Sequence, residues 1–338
     1  MNSDLTGPHH FDVFPEPRQV GEEAASALDS YRRALSKFEG AGGEPTVWLP
    51  TLRLALRAAD HILSMGFDSN RVGGEDELPL FADKMTELSR ALNRAACAVE
   101  MMTQQRGPEA VADLRGDVRI AYHSPVDDTD QPFCLYVPED YTTEGPWPLM
   151  VRLHGAWSQI DEAQWAIQTY EWDREFTRFA PRGSFIELYP WGRGNVWYRE
   201  AGGQDVLDVL DLAERCFSID SDRVYLMGSS MGADGGWEIV AAYRDRFAAY
   251  CGVVGRYNLE HVEILSQLPV MFHYGHHDKP ERVTSPQETA ERLRELGGTV
   301  ELVGHPDSGH RIETTDYQLS YYQFFARHPR RAADKTSP

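Results

Sequence analysis

The sequence predicts an α/β fold, a mostly parallel sheet with helices on both faces, preceded by an all-helical region. Three observations carry this. From about residue 118 onward, short apolar runs alternate with helical patterns, the arrangement that builds a parallel sheet. Gly228-Ser229-Ser230-Met231-Gly232 follows the apolar run Val224 to Met227 and opens a helical pattern through Trp237, Ile239 and Val240, so a serine stands on a sharp strand-to-helix turn. The first 112 residues show a helical period and no strand pattern.

Taken in order, Leu28, Tyr31, Leu35 and Phe38 share one helix face, and Leu52, Leu56, Ala59 and Leu63 form a second. A third runs from Phe81 through Met85, Leu88, Leu92, Ala95 and Val99 to Met102. Gly40 to Pro45 and Gly66 to Pro79 separate them, and Gly107-Pro108 ends the last. Strands are expected at Val118–Tyr122, Phe133–Val137, Leu149–Leu153, Val224–Met227, Ala248–Gly255, Pro269–Gly275 and Val300–Val303, with a helix from Ser285 to Leu296. The expected division is 1–112 helical, 113–327 α/β and 328–338 a flexible tail.

A serine hydroxyl is a weak nucleophile at neutral pH, so a reactive Ser230 needs a histidine base and a carboxylate to orient that histidine. Both follow it in the chain. Asp278 lies in the loop leaving the strand at Pro269–Gly275, and His310 in the loop leaving the strand at Val300–Val303. Strand exits are where open α/β sheets collect their active residues. Ser230 is therefore read as nucleophile, His310 as general base and acid, and Asp278 as orienting carboxylate. Asp307 competes for the last role but stands only two residues from Gly309 and three from His310, too near for an easy approach to the imidazole. The oxyanion donors are expected at the backbone amides of Met231 and of Ala156, with Trp157 the alternative to Ala156; His154 is read as structural.

Trp157, Trp191, Trp197 and Tyr198 fall after strands at the same edge and are candidate substrate-binding walls, core packing being the plain alternative. Asp234, in the first turn of the helix after Ser230, is read as complementing that helix's dipole, a second carboxylate in the site being the alternative. His273, His276, His277, His305 and His310 lack paired ligand spacing, so no metal and no cofactor is expected.

The chain has 53 acidic and 33 basic residues and a net charge of -20, which repels nucleic acid and anionic membranes. Its four scattered cysteines read as buried thiols. Neither a basic-then-apolar leader nor a run of membrane-spanning length is present, and a cytoplasmic setting is expected.

Leu153-His154-Gly155, Phe217-Ser218-Ile219-Asp220 with Arg223-Val224-Tyr225, the turn at Ser230, Gly275 with Asp278, and Gly309-His310 together resemble the α/β-hydrolases of the feruloyl esterase, polyhydroxybutyrate depolymerase and prolyl-oligopeptidase-like group. The resemblance spans about residues 113 to 327. It implies an acyl-enzyme mechanism on an ester, thioester or peptide. A serine esterase acting on a small or bulky, aromatic carboxylic ester leads; an acyl-transferring cyclase or lyase with the same triad, a peptidase, and a non-catalytic binding protein follow. Only 13 residues, Arg256 to Leu268, separate two successive strands where this fold commonly inserts a lid. A cover would then come from the segment Trp157 to Trp172, the N-terminal helices or a partner subunit, and the third helix offers a seam for a homodimer.

Overall fold

The computed structural model describes residues 17–40, 47–64, 78–156, 185–312 and 316–330. Three helices lead: α1 (Pro17–Gly40), α2 (Trp48–Ser64) and α3 (Leu78–Thr103). Pro79 stands inside α3 and not in the break before it. A proline's missing N–H would have no helical partner in the first turn, so it is tolerated there. The same reason starts the helix after Asp278 earlier than expected, at Pro280.

The strands are β1 (Gly116–Ser124), β2 (Thr129–Val137), β3 (Trp147–Leu153), β4 (Ile186–Pro190), β5 (Ile219–Ser229), β6 (Ala249–Val253), β7 (Val270–Gly275) and β8 (Val300–His305). They form one sheet in the order β1-β2-β4-β3-β5-β6-β7-β8. β2 runs antiparallel to both neighbours; β4, β3, β5, β6, β7 and β8 are mutually parallel. The helices among them are α4 (Ala201–Cys216), α5 (Met231–Ala242), the short α6 (Val262–Leu265), α7 (Pro280–Glu295) and α8 (Asp316–Arg327).

Alternation along the central strands sends apolar side chains to both faces, as a sheet buried on two sides requires. Leu149, Val151, Val224 and Leu226 join one core with Trp237 of α5. Met150, Tyr225, Met227 and Cys251 join the other with Tyr321, Phe324 and Phe325 of α8. All four cysteines are free thiols, and burial raises the pKa of Cys251 above the usual thiol range.

The N-terminal helices do not keep a core of their own. Leu28, Trp48, Leu52, Ile62 and Leu88 are continuous with Ile120, Phe133 and Leu135 of the sheet. Helix α2 also closes the sheet's edge. Ala121 of the edge strand β1 lies opposite Pro132, so its N–H turns outward, where the Thr51 hydroxyl accepts it at 2.9 Å. That satisfies a donor that an open edge would offer to another strand. Among the described residues, no helix is long and apolar enough to cross a membrane.

Candidate active site

Ser230 follows β5 directly and caps α5 with φ 53° and ψ -113°, a conformation that non-glycine residues rarely adopt. Tight packing holds it there. A methyl group on Gly228 would stand 2.1 Å from the Gly232 carbonyl oxygen, and one on Gly232 would stand 2.3 Å from that of Leu153. Only glycine fits at either position, and this is what the flanking glycines of the motif contribute. The Ser230 N–H donates to Val253 O at 2.8 Å, fastening the turn to β6.

The three residues expected to act together stand in line. Ser230 Oγ is 2.8 Å from His310 Nε2, and His310 Nδ1 is 2.8 Å from Asp278 Oδ2. In the neutral imidazole this is a serine O–H donating to Nε2 and an Nδ1–H donating to the carboxylate. The Asp278 side chain is only 2% exposed, and its other oxygen accepts the Lys279 N–H at 2.7 Å; the His310 side chain is 49% exposed. Asp307 is exposed in the turn before Ser308, while Nδ1 is taken by Asp278.

The loops that carry Asp278 and His310 are knitted together by backbone bonds. His276 N–H donates to His305 O at 3.1 Å and His277 N–H to Ser308 O at 2.9 Å. Behind them, His273 Nδ1 lies 3.0 Å from His305 Nε2, and burial first and His305 second push the His273 pKa down to about 3. Burial also lowers the His305 pKa, with His276 adding to it.

Met231 is the first residue of α5, so its N–H has no intrahelical acceptor and lies next to Ser230. Ala156 ends the described part of the loop that leaves β3, and Gly155 of that loop packs against Ser230, a methyl built on it standing 3.3 Å from Ser230 Cβ. His154, next in line, is held by Nδ1 2.8 Å from Gly155 O and Nε2 2.9 Å from Trp191 O, and burial lowers its pKa.

The aromatic candidates divide. Trp191 and Tyr198 are 5% and 3% exposed and do not face an open cleft. Trp191 stacks on the His154 ring at 5.5 Å, and the Tyr198 hydroxyl accepts the His154 N–H at 2.9 Å. Trp197 is half-buried against the main core. Trp157, with Trp165 and Trp172, lies outside the described residues. The support under His154 escaped the sequence because its partners are 37 and 44 residues away; only the aromatic content of the segment pointed to it.

Asp234 takes no part in the line of three. It accepts from the Arg256 side chain at 2.8 Å and from Arg282 at 3.3 Å, and Arg282 also donates to Val254 O. Helix α5, the β6 exit and α7 are thereby joined. Among the described residues, no group of three or more His, Cys, Asp or Glu could hold a metal ion.

No protein-family model and no curated protein matches the chain. Solved structures do. A thermostable esterase is similar over 63% of this chain and 63% of its own, at 19% identity and a TM-score of 0.50. A dipeptidyl aminopeptidase IV-like protein from Bacteroides ovatus is similar over 63% of this chain and 36% of its own, at 15% identity and a TM-score of 0.52. The chain thus spans less than two thirds of either structure, and what it shares with them is the fold.

Proposed function

We propose that this chain, which has the α/β-hydrolase fold, is a serine hydrolase that cleaves a carboxylic ester through an acyl-enzyme. The observation that carries the reading is the pair of 2.8 Å hydrogen bonds linking Ser230, His310 and Asp278. Esterase chemistry among the similar folds is in keeping with it.

In this mechanism Ser230 Oγ attacks the ester carbonyl while His310 Nε2 takes its proton, and the buried Asp278 carboxylate holds the imidazole in the required tautomer and stabilises the imidazolium. The carbonyl oxygen becomes an oxyanion, stabilised by the Met231 and Ala156 amides and by the N-terminal end of α5. His310 then protonates the departing alkoxide and activates water for deacylation. The half-exposed His310 ring supports water, and so hydrolysis, as the second step. The cytoplasmic setting, the small-molecule substrate and the homodimer remain parts of the same proposal.

Incubation with a fluorophosphonate followed by mass mapping tests it: Ser230 should carry the label, and Ser230→Ala should carry none. Labelling elsewhere, or no hydrolysis across a panel of acyl and aryl esters, would refute the reading.

A further inference from the structure

Between Trp191 and Glu200 the chain holds an unusual concentration of left-handed backbone. Gly192, Arg193, Gly194, Trp197, Tyr198 and Glu200 all have positive φ, between 48° and 72°. Four of them are not glycine, and one is a tryptophan and one a tyrosine, for which this conformation is a true outlier. Such strain persists only where surrounding structure over-determines it, and it clusters at functional sites.

The surroundings here are two parts of the candidate site. On one side the loop wedges against α5: a methyl on Gly235 would stand 2.5 Å from Trp197 O and 2.9 Å from Tyr198 Cβ. On the other it grips the loop leaving β3. The Tyr198 hydroxyl accepts the His154 N–H at 2.9 Å, its ring meets the His154 ring edge-on at 5.5 Å, and Trp191 supplies a stacked ring and a carbonyl to the same imidazole. The far end is pinned as well. Arg193 reaches Asp205 at 2.8 Å and Ser124 Oγ at 3.0 Å, and it also binds Asp127, which ties the strained segment to α4 and to the β1–β2 turn.

We infer that Tyr198 is a positioning residue for the oxyanion hole: its hydroxyl fixes the His154 amide, and with it the short run through Gly155 to Ala156, at a set distance from α5, which carries Met231. The inference rests on the reading of Ser230 as an acylated nucleophile. It gives the strain a purpose, because a loop braced against α5 on one side and His154 on the other sets the spacing between the two oxyanion donors. A displacement on the order of 1 Å between such donors costs about a hundredfold in rate.

Tyr198→Phe removes the hydroxyl and keeps the ring. With p-nitrophenyl acetate as probe, kcat should fall on the order of ten- to a hundredfold with KM changed less than about twofold. The midpoint of the pH–rate profile should stay where it is, because His310 and Asp278 are untouched. Affinity for a trifluoromethyl ketone should fall by the same factor as kcat/KM, since the bound ketone carries the oxyanion. An unchanged kcat, or a loss shared by KM with no loss of ketone affinity, would overturn the inference. Should the phenylalanine variant fail to fold, fluorotyrosine at position 198 weakens the oxygen as an acceptor with little change in size, and kcat should step down with each added fluorine; a flat series would overturn it. If the parent enzyme neither turns over the ester nor labels at Ser230, the reading of the site falls, and this inference falls with it. If the parent is active and Tyr198→Phe is equal to it, the inference alone falls.

Discussion

The two sides of this sheet treat backbone donors in opposite ways. At the β1 edge the outward N–H of Ala121 is closed off by the Thr51 hydroxyl, and α2 covers the strand with apolar side chains. At the C-terminal ends of β3 and β5, three and four strand spacings from β1, the amides of Ala156 and Met231 have no hydrogen-bond acceptor among the described residues. Those separations are roughly 14 and 19 Å at about 4.8 Å per step. If the edge serves stability and the end the proposed chemistry, substitutions at the two should separate folding from turnover.

The largest effect belongs to Ser230 and His310. Replacing either by alanine should lower kcat on the order of a millionfold where chemistry limits the rate, and the double variant should be scarcely worse, because the two act as a unit. Urea midpoints should barely move. If the double variant lost the product of the two single effects, the shared mechanism would be wrong.

Asp278→Asn comes next. The amide can hold the imidazole in the wrong tautomer, and turnover should drop about ten-thousandfold with the fold intact. Asp307→Asn should be mild, since Asp307 is exposed and His310 Nδ1 already meets Asp278 at 2.8 Å. The reverse result would move the carboxylate role to Asp307.

What the sequence disclosed of each region follows from the range of the contacts. Ser230, Asp278 and His310 were legible because each sits at a strand exit marked by local glycines and apolar runs, and chain order does the rest. The buried strands were legible as short apolar runs; which side chain turns to which core was not. The hydrogen bond from His154 to Tyr198 was not legible, because the two are 44 residues apart and nothing local marks an acceptor. Nor was the closure of the β1 edge, since Thr51 and Ala121 are 70 residues apart. A helical period said that residues 48–64 form a helix; it could not say that the helix lies against an edge strand and shares its core.

Acid should distinguish the regions further. His273, on β7 behind the candidate site, is buried and neutral, with its pKa pushed down to about 3 from an ordinary 6.5. An unfolded chain takes up a proton on that residue near pH 6.5, while the folded chain refuses it until about pH 3. Stability is therefore undiminished by His273 above pH 6.5 and falls as the pH drops through that window, by about 1.4 kcal/mol per pH unit. Urea midpoints taken from pH 7 to pH 4 should decline, and the decline should be shallower in His273→Gln, whatever that variant costs at pH 7. Parallel declines in the two proteins would contradict the assignment.

Thr51→Val keeps the shape and removes the hydroxyl, leaving the Ala121 N–H buried without its acceptor. The cost should be about 1–3 kcal/mol in urea unfolding. Ester turnover at 25 °C should be that of the parent, because the defect is four strands from Ser230. A variant that lost turnover in step with stability would show the edge and the candidate site to be one cooperative device.

The smallest effect lies at the same edge and has the opposite sign to that of His273. His123, in β1, places Nδ1 3.0 Å from Asp130 and Nε2 2.8 Å from Asp128, and hydrogen bonds to these two carboxylates, Asp130 first, raise its pKa above 6.5. A raised histidine binds its proton more tightly folded than unfolded. Its contribution is whole below pH 6.5 and disappears as the pH rises through the folded value. Because Arg53 also reaches Asp130, at 3.4 Å, the contact between α2 and β2 survives the loss of the proton, which keeps the effect small. Amide hydrogen exchange, corrected for its intrinsic pH dependence, should show β1 and β2 slightly better protected at pH 6 than at pH 8, and His123→Gln should remove the difference. Protection in β7 and β8 should change the other way below pH 6.5, governed by His273. If both pairs of strands gained or lost protection together across the whole range, the opposite environments of these two histidines would not be setting the local stability of the sheet.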